Sequence, residues 1–222
     1  MFPRTNRRIS LLIALLLLTL PARLPALAPA PSRSDAQNEK EAKALFNKIY
    51  DKVFGKEGST LSYAVNIIGL YKTQGTITYK GKKLRYQEKR YAAWEDGTTA
   101  YMVDKKKRTV NIYRMDDDKK DKYLSKFKYD VNNFRFSYTV EGDCYNITAR
   151  VKDSKFFGIK YVSAMVKRSS LTPVSMKIKL AFISTTVQIT NFKAGGVSDD
   201  CFRFPKKNFA DYSFTDHRNE EQ

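Results

Sequence analysis

Between residues 61 and 114 apolar and polar side chains change places at almost every step, and glycine-containing turns interrupt the pattern at short intervals. A two-residue period sends successive side chains to opposite faces of a strand, so a chain written this way must build a sheet with one dry and one wet side. Leu61, Tyr63, Val65 and Ile67 alternate with Ser62, Ala64 and Asn66. Residues 76–79 and 84–91 flank Lys80-Gly81-Lys82, where glycine can supply the positive φ of a tight hairpin. Residues 98–103 and 109–113 flank a second turn, and consecutive hairpins at this spacing make an antiparallel meander.

The same grammar returns further on. Residues 134–140, 145–151, 160–168 and 185–192 read as strands, and 174–182 is the clearest, with Val174, Met176, Ile178, Leu180 and Phe182 opposing Ser175, Lys177, Lys179 and Ala181. Two segments break the period. Residues 38–54 place Ala42, Leu45, Phe46, Ile49 and Val53 at helical spacing before Gly55, which predicts an amphipathic helix; residues 116–129, acidic first and basic afterwards, predict a short helical insert whose charges suit the helix dipole. The fold class expected is mainly β with α: a curved antiparallel sheet forming an incomplete, half-closed barrel, with helices covering its concave apolar face.

The N-terminus carries Arg4, Arg7 and Arg8, a twelve-residue apolar run at 9–20, Pro21 and then an Ala- and Pro-rich region, the pattern of a secretory signal peptide. Twelve residues fall short of the roughly 20 needed to span a bilayer, although an uncleaved anchor is the competing reading. Ser34-Asp35-Ala36 has a small-x-small pattern, so residues 1–36 are expected to be removed and 37–222 to form a single domain, 186 residues long and starting at Gln37. The removed part holds five arginines and one aspartate, so the net charge of +18 falls to about +14.

A chain this basic attracts anionic surfaces or acidic partners, an attraction that salt weakens. Its lysines sit mostly in solvated turns; no nucleic-acid motif accompanies them, and no nucleic-acid partner is expected. The two cysteines, Cys144 and Cys201, permit one disulfide in an exported protein, worth about 4 kcal/mol on loop entropy, or two buried thiols. Catalytic signatures are missing. The one histidine, His217, lies in a charged tail, the carboxylate clusters fall in turns, and neither a phosphate loop nor a dinucleotide fingerprint occurs. Asn146-Ile147-Thr148 matches a glycosylation acceptor inside a predicted strand and carries no weight. The expectation is a binding protein, not an enzyme, with no metal and no cofactor. Its 14 Tyr and 14 Phe need an apolar face, which in most proteins is a packed core and in a minority a ligand cavity.

Gly75-Thr76-Ile77-Thr78-Tyr79, the turn, Leu84-Arg85-Tyr86, the Asp96-Gly97 turn into a strand with Tyr101 and Asp104, and then Val110 resemble the periplasmic outer-membrane lipoprotein carriers of the LolA type. Leu171-Thr172-Pro173-Val174 looks like that family's turn before a long wall strand, and Phe202-Arg203-Phe204-Pro205 with Phe209 looks like its closing strand. The family often has Trp and Tyr where Tyr101 and Val103 stand here, and a basic residue before proline where this hairpin reads Gly81-Lys82. A lid-closing role therefore cannot pass to Gly81.

The resemblance implies a soluble, monomeric periplasmic chaperone. It would shield the acyl chains of lipoproteins in a hydrophobic cavity, loaded by an inner-membrane release complex and unloaded at an outer-membrane acceptor. Alternation nominates Leu84, Tyr86, Tyr101, Val103, Ile147, Ala149, Met165, Met176, Ile178 and Leu180 for the cavity, with Phe46 and Ile49 in the lid; a packed core is the alternative for each. Two other functions compete: an exported protein-binding or sensor module of the same fold, and a basic protein held on anionic membrane surfaces by charge.

Overall fold

A computed structural model describes residues 34–67, 71–115, 133–152, 159–180 and 184–219. The stretch Ser34–Gln222 forms a compact unit, whereas residues 1–33 of the expected signal segment and the expected helical insert at 116–129 lie outside the described residues. The chain opens with helix α1 (Asp35–Phe54) and continues through β1 (Ser59–Ile67), β2 (Tyr71–Lys80), β3 (Lys83–Glu88), β4 (Tyr91–Glu95), β5 (Thr99–Asp104) and β6 (Thr109–Arg114). Then come β7 (Phe134–Glu141), β8 (Cys144–Val151), β9 (Ile159–Lys167), β10 (Pro173–Leu180) and β11 (Ser184–Ala194). Two 3-10 turns, Asp199–Phe202 and Lys206–Phe209, precede β12 (Ser213–Asp216).

The strands form one sheet in the order β12-β6-β5-β4-β3-β2-β1-β11-β10-β9-β8-β7. Two meanders, β1 to β6 and β7 to β11, are joined where β1 pairs antiparallel with β11. Every neighbouring pair is antiparallel except β12 with β6. A parallel strand needs a crossover, and here the 3-10 turns make it, carrying the chain across the sheet. β7 and β12 are the two edges, so the sheet is curved but unclosed.

Most of the expected elements are present, with three differences. The helix begins at Asp35, capped by Ser34, whose hydroxyl accepts from the Gln37 amide at 3.2 Å, so the small-x-small triplet forms its first turn. The expected strand at 84–91 stops at Glu88, and after a bend β4 runs over Tyr91–Glu95, where no strand was expected beyond Tyr91. The run taken for a closing strand, 202–205, is not a strand: Phe202 ends a 3-10 turn and the closing strand is β12.

Cross-strand partners share a face, so the pairings assign every strand residue to one of two sides. The side under α1 carries Phe134, Phe136 and Tyr138, paired with Val151, Ala149 and Ile147, and then Val162 and Ala164. It continues through Met176 and Ile178, Val187, Val65 and Tyr63, and Ile77, Tyr86 and Met102. The other side carries Trp94, Tyr101, Val103 and Val110 on β4 to β6, and polar residues elsewhere.

Two buried clusters hold the sheet, one on each side. Under the helix, Ala42 packs with Phe134, Phe136, Tyr138, Ile147, Ala149 and Val166, and Leu45, Phe46 and Ile49 close in around them. On the opposite face Phe209 and Phe204, from the returning C-terminal segment, cover Ala92, Trp94, Val103 and Val110, with Phe204 stacked on Tyr101 at 4.5 Å. The β7 edge is guarded by α1: the Asn38 side-chain amide donates to the Tyr138 carbonyl at 2.9 Å and its oxygen accepts from the Tyr138 amide at 3.0 Å. That amide replaces the missing neighbour strand at one residue. Tyr138 also donates through its hydroxyl to Glu41 at 2.7 Å.

The disulfide expected between Cys144 and Cys201 does not form. Both are free thiols, Cys144 buried at the start of β8 and Cys201 in a 3-10 turn that packs near β3, six strand positions away along the sheet. A bond requires Cα atoms within about 7 Å.

Phe136 is 2% exposed at the centre of the helix-side cluster. Phe136→Ala is therefore expected to lower unfolding free energy by about 3–5 kcal/mol, and Phe214→Ala on the exposed β12 by less than about 0.5 kcal/mol. Urea denaturation of both variants checks this, and equal losses would mean that the cluster does not hold the sheet.

Candidate functional site

The helix touches β7 and β8 at one side of the sheet and β1 and β2 at the other, so it runs over β9, β10 and β11 like a strap. Twenty residues make a helix about 30 Å long, and six inter-strand gaps from β7 to β2 make about 29 Å of sheet, so the strap is long enough to bridge them. Both of its ends are tied. Asn38 holds the start to β7, while at the far end the Ser59 hydroxyl donates to the Val53 carbonyl at 2.7 Å. The turn between β2 and β3 adds a backbone tie: the Gly81 amide donates to the Phe54 carbonyl at 2.9 Å, and φ of 56° at Gly81 sets that amide toward the helix. The tie that the sequence would not grant to a basic side chain here is made by the main chain. Lys52 reaches the Ser170 carbonyl at the β9-β10 turn.

Beneath the strap the floor is apolar and open. One rung pairs Tyr138, Ile147, Ala164, Met176, Val187 and Val65 in succession; the next pairs Phe136, Ala149, Val162, Ile178 and Thr185. The β7 and β8 members are buried in the helix-side cluster. Met176, Ile178, Val187 and Val65, together with Tyr63 and Ile77, are only half-buried and belong to neither closed core. Two polar features interrupt this floor. The Thr185 hydroxyl is buried without a hydrogen-bond partner, and the Tyr63 hydroxyl donates to Glu88.

Gly75 explains how that second contact is made. It sits in mid-strand opposite both Tyr63 and Glu88, and a Cβ there would stand 3.0 Å from the Tyr63 hydroxyl and 2.3 Å from the Gln87 carbonyl oxygen. Glycine leaves the gap through which the tyrosine reaches across β2. Where the strap ends, the Phe54 and Tyr79 rings meet edge-on at 4.6 Å. Burial, with the Glu95 carboxylate nearby, pushes the Tyr79 phenol up to about 12. A further depression of about 260 Å³ on the same side lies over β3 to β6, lined by Tyr86, Tyr91, Met102, Asp104 and Asn111 among others.

The register divides the nominated residues. Leu84, Tyr86, Ile147, Ala149, Met176 and Ile178 lie on the helix side, and Phe46 and Ile49 on the underside of the strap pack against that cluster, the Phe46 and Phe136 rings 5.1 Å apart. Tyr101, Val103 and Met165 lie on the other side. For Tyr101 and Val103 the reason is the cluster built by Phe204 and Phe209, which claims that face of β5; Met165 pairs with Asn146 and Ser175 on the polar wall. Leu180 ends β10, and its side chain lies outside the described residues. Missed by the sequence reading were Tyr63, Val65 and Val187. Tyr63 and Val65 were marked by the alternation of β1, which could have nominated them.

Among the described residues no group of His, Cys, Asp and Glu could hold a metal ion, and no helix is long and apolar enough to cross a membrane. No family model and no curated protein matches the chain. In fold it is similar to an uncharacterized conserved protein from Thermus thermophilus, at 8% identity and a TM-score of 0.54, over 79% of this chain and 99% of that one. Weaker likenesses are to a LolA superfamily protein from Nitrosomonas europaea, at 9% identity and a TM-score of 0.40 over 74% of this chain and 98% of that one, and to a putative outer membrane lipoprotein-sorting protein domain from Vibrio parahaemolyticus, at 7% identity and a TM-score of 0.42 over 78% and 99%. Identities this low speak of fold alone. The open, largely antiparallel sheet with a helix across one face is the fold class expected from the sequence.

Tyr79 offers a check on the strap's closed end. Its phenol ionises at about 12 in the folded protein against about 10 when exposed, so the stability it contributes is full below pH 10 and is lost as pH rises toward 12. Denaturation midpoints between pH 9.5 and 12 should fall more steeply for the native chain than for Tyr79→Phe. Parallel curves would mean that Tyr79 is not enclosed by the helix end.

Proposed function

We propose that the protein is a periplasmic carrier that shields the acyl chains of lipid-modified proteins between α1 and the sheet, and that it works by binding and release rather than by catalysis. One observation carries this reading. Met176, Ile178, Val187, Val65, Tyr63 and Ile77 form a mainly apolar floor that stays half-buried while closed cores form on either side of it. A chain that only needed a core would bury such a floor, since each methylene removed from water is worth about 0.8 kcal/mol. The same gain is available to an acyl chain laid on the floor, and without a carrier such a chain cannot cross an aqueous compartment.

The strap supports the reading because it is fixed at its ends. The ties at Asn38, at Ser59 and Gly81, and from Lys52 to the β9-β10 turn hold the strap at its ends and along the rim of the sheet, so ligand can enter beneath it without unfolding the helix. The N-terminal signal pattern supports export to the compartment where lipoproteins travel, and the family resemblance names an inner-membrane release complex and an outer-membrane acceptor as its partners. Of the nominated residues, Met176 and Ile178 carry the contact, with Tyr86 at the margin of the floor.

Ile178→Asp puts a charge on the floor without touching the two cores. Protein recovered from a bacterial periplasm is expected to take up a hydrophobic fluorophore and to release it to a diacylated peptide, and Ile178→Asp should weaken both at least tenfold with an unchanged circular dichroism spectrum. If the native protein takes up neither probe, the carrier reading fails and the protein-binding module of the same fold takes its place.

A further inference from the structure

The outward face of the same strands is as one-sided in charge as the inner face is in hydropathy. Arg135 on β7 pairs directly with Arg150 on β8, Arg150 with Tyr161 on β9, and Tyr161 with Lys179 on β10. This is a single rung three inter-strand gaps wide, about 14 Å. Lys177 stands two residues from Lys179 on the same face, about 7 Å along β10. Toward the middle of the sheet this side becomes a depression of about 910 Å³ lined by Lys72, Asn66, Gln74, Thr186 and Gln188.

Like charges placed directly opposite each other on a sheet repel, so the Arg135-Arg150 pair costs folding free energy unless something else neutralises it. Nothing among the described residues does. None of Arg135, Arg150, Lys177, Lys179 and Lys72 makes an ion pair there, although the Arg150 guanidinium lies over the Tyr161 ring at 5.2 Å. Among the described residues of strands β7 to β2 themselves, the one carboxylate on this side is Glu141, at the corner of the sheet, where it accepts from Asn146 and Thr139. By contrast Lys80 and Lys83, just beyond the patch, are matched by Asp199 at 3.3 and 3.1 Å. Asp199 thus serves Lys80 and Lys83, whereas no carboxylate among the described residues pairs with the cations of the wall.

We infer that this outward wall docks the protein on an anionic lipid surface through Arg135, Arg150, Lys177 and Lys179. The cations are exposed or half-buried and stand in rows on a broad wall, with hydroxyls of Ser137, Thr148, Ser163 and Ser184 between them. Such an array meets several headgroup phosphates at once, whereas a single free phosphate would need converging donors in an enclosed site. The densest rung lies toward the end of the sheet where β7 starts and β10 ends, beside the Ala149-Val162-Ile178 rung of the inner floor. Docking there brings the rim of the floor to the membrane surface. The wall is a separate surface from the floor, so it can be tested whether or not the protein carries acyl chains.

The experiment is sedimentation of the periplasmic protein with vesicles of phosphatidylcholine containing 30% phosphatidylglycerol, against vesicles of phosphatidylcholine alone, from 50 to 300 mM NaCl. Binding is expected on the anionic vesicles only, weakening as salt rises. Lys177→Glu with Lys179→Glu should reduce it at least tenfold and leave fluorophore uptake by the floor unchanged. The control pair Lys106→Glu with Lys207→Glu, an identical change of net charge on exposed residues away from the wall, should reduce binding less than threefold. Equal losses from the two pairs, equal binding to both vesicle types, or abolition of binding by 10 mM inorganic phosphate at constant ionic strength would each overturn the proposal.

Discussion

The pairing of β1 with β11 is the contact on which the rest depends. It joins residues 59–65 to residues 187–194 across more than a hundred positions of chain, and it makes one twelve-stranded sheet from two meanders that are each built from local hairpins. Because the pairing has one register, the apolar sides of both meanders fall on the same face. Leu61, Tyr63 and Val65 continue the row that Met176, Ile178 and Val187 begin. A slip by one residue would turn β1 to β6 over and split the floor in two. The irregularity at Asn191, which takes a positive φ of 52°, lies within this pairing, where one extra residue of β11 is absorbed without losing the register on either side.

From that single sheet follow two separate closures and an opening. The helix closes one face at β7 and β8, where large aromatics rise to meet Phe46; the C-terminal segment closes the other face at β4 to β6, where Trp94 meets Phe204 and Phe209. Neither closure reaches the inner side of β10, β11 and β1. The strap crosses above it, tied at its ends and by Lys52 to the β9-β10 turn, and the apolar residues there are only half-buried. The outer side of the same strands is hydrophilic and cationic. One stretch of sheet thus presents two chemistries, an apolar floor within and a basic wall without, and the pleat alone keeps them apart.

Much of the fold was legible because its strands are half-buried. Alternation such as Val174-Ser175-Met176-Lys177-Ile178 marks a strand with a wet and a dry side, and those residues do form β10. The helix was legible for the same reason at a different period. Where both faces of a strand are in use, the signal fails. Residues 91–95 read Tyr-Ala-Ala-Trp-Glu without alternation, because Ala93 packs inward while Ala92 and Trp94 serve the opposite core, and β4 was not expected. The C-terminal crossover was not legible either: Phe202-Arg203-Phe204-Pro205 with Phe209 resembles a closing strand, but Phe202 and Phe209 end 3-10 turns and Phe204 sits between them.

The sequence by itself determined most of the elements and which residues of each strand share a side, since these follow from the two-residue period and from local turn chemistry. It also determined that one side is apolar and the other basic. Only the tertiary structure decided which side of each strand meets the helix. Tyr101 and Val103 obey the alternation as well as Met176 and Ile178 do, yet they face the other way, because the returning C-terminal aromatics offer β5 a second apolar surface. Periodicity is a property of one strand, whereas the choice of face is made by whatever packs against it. The same holds for Cys144 and Cys201, whose presence invited a bond that five intervening strands deny.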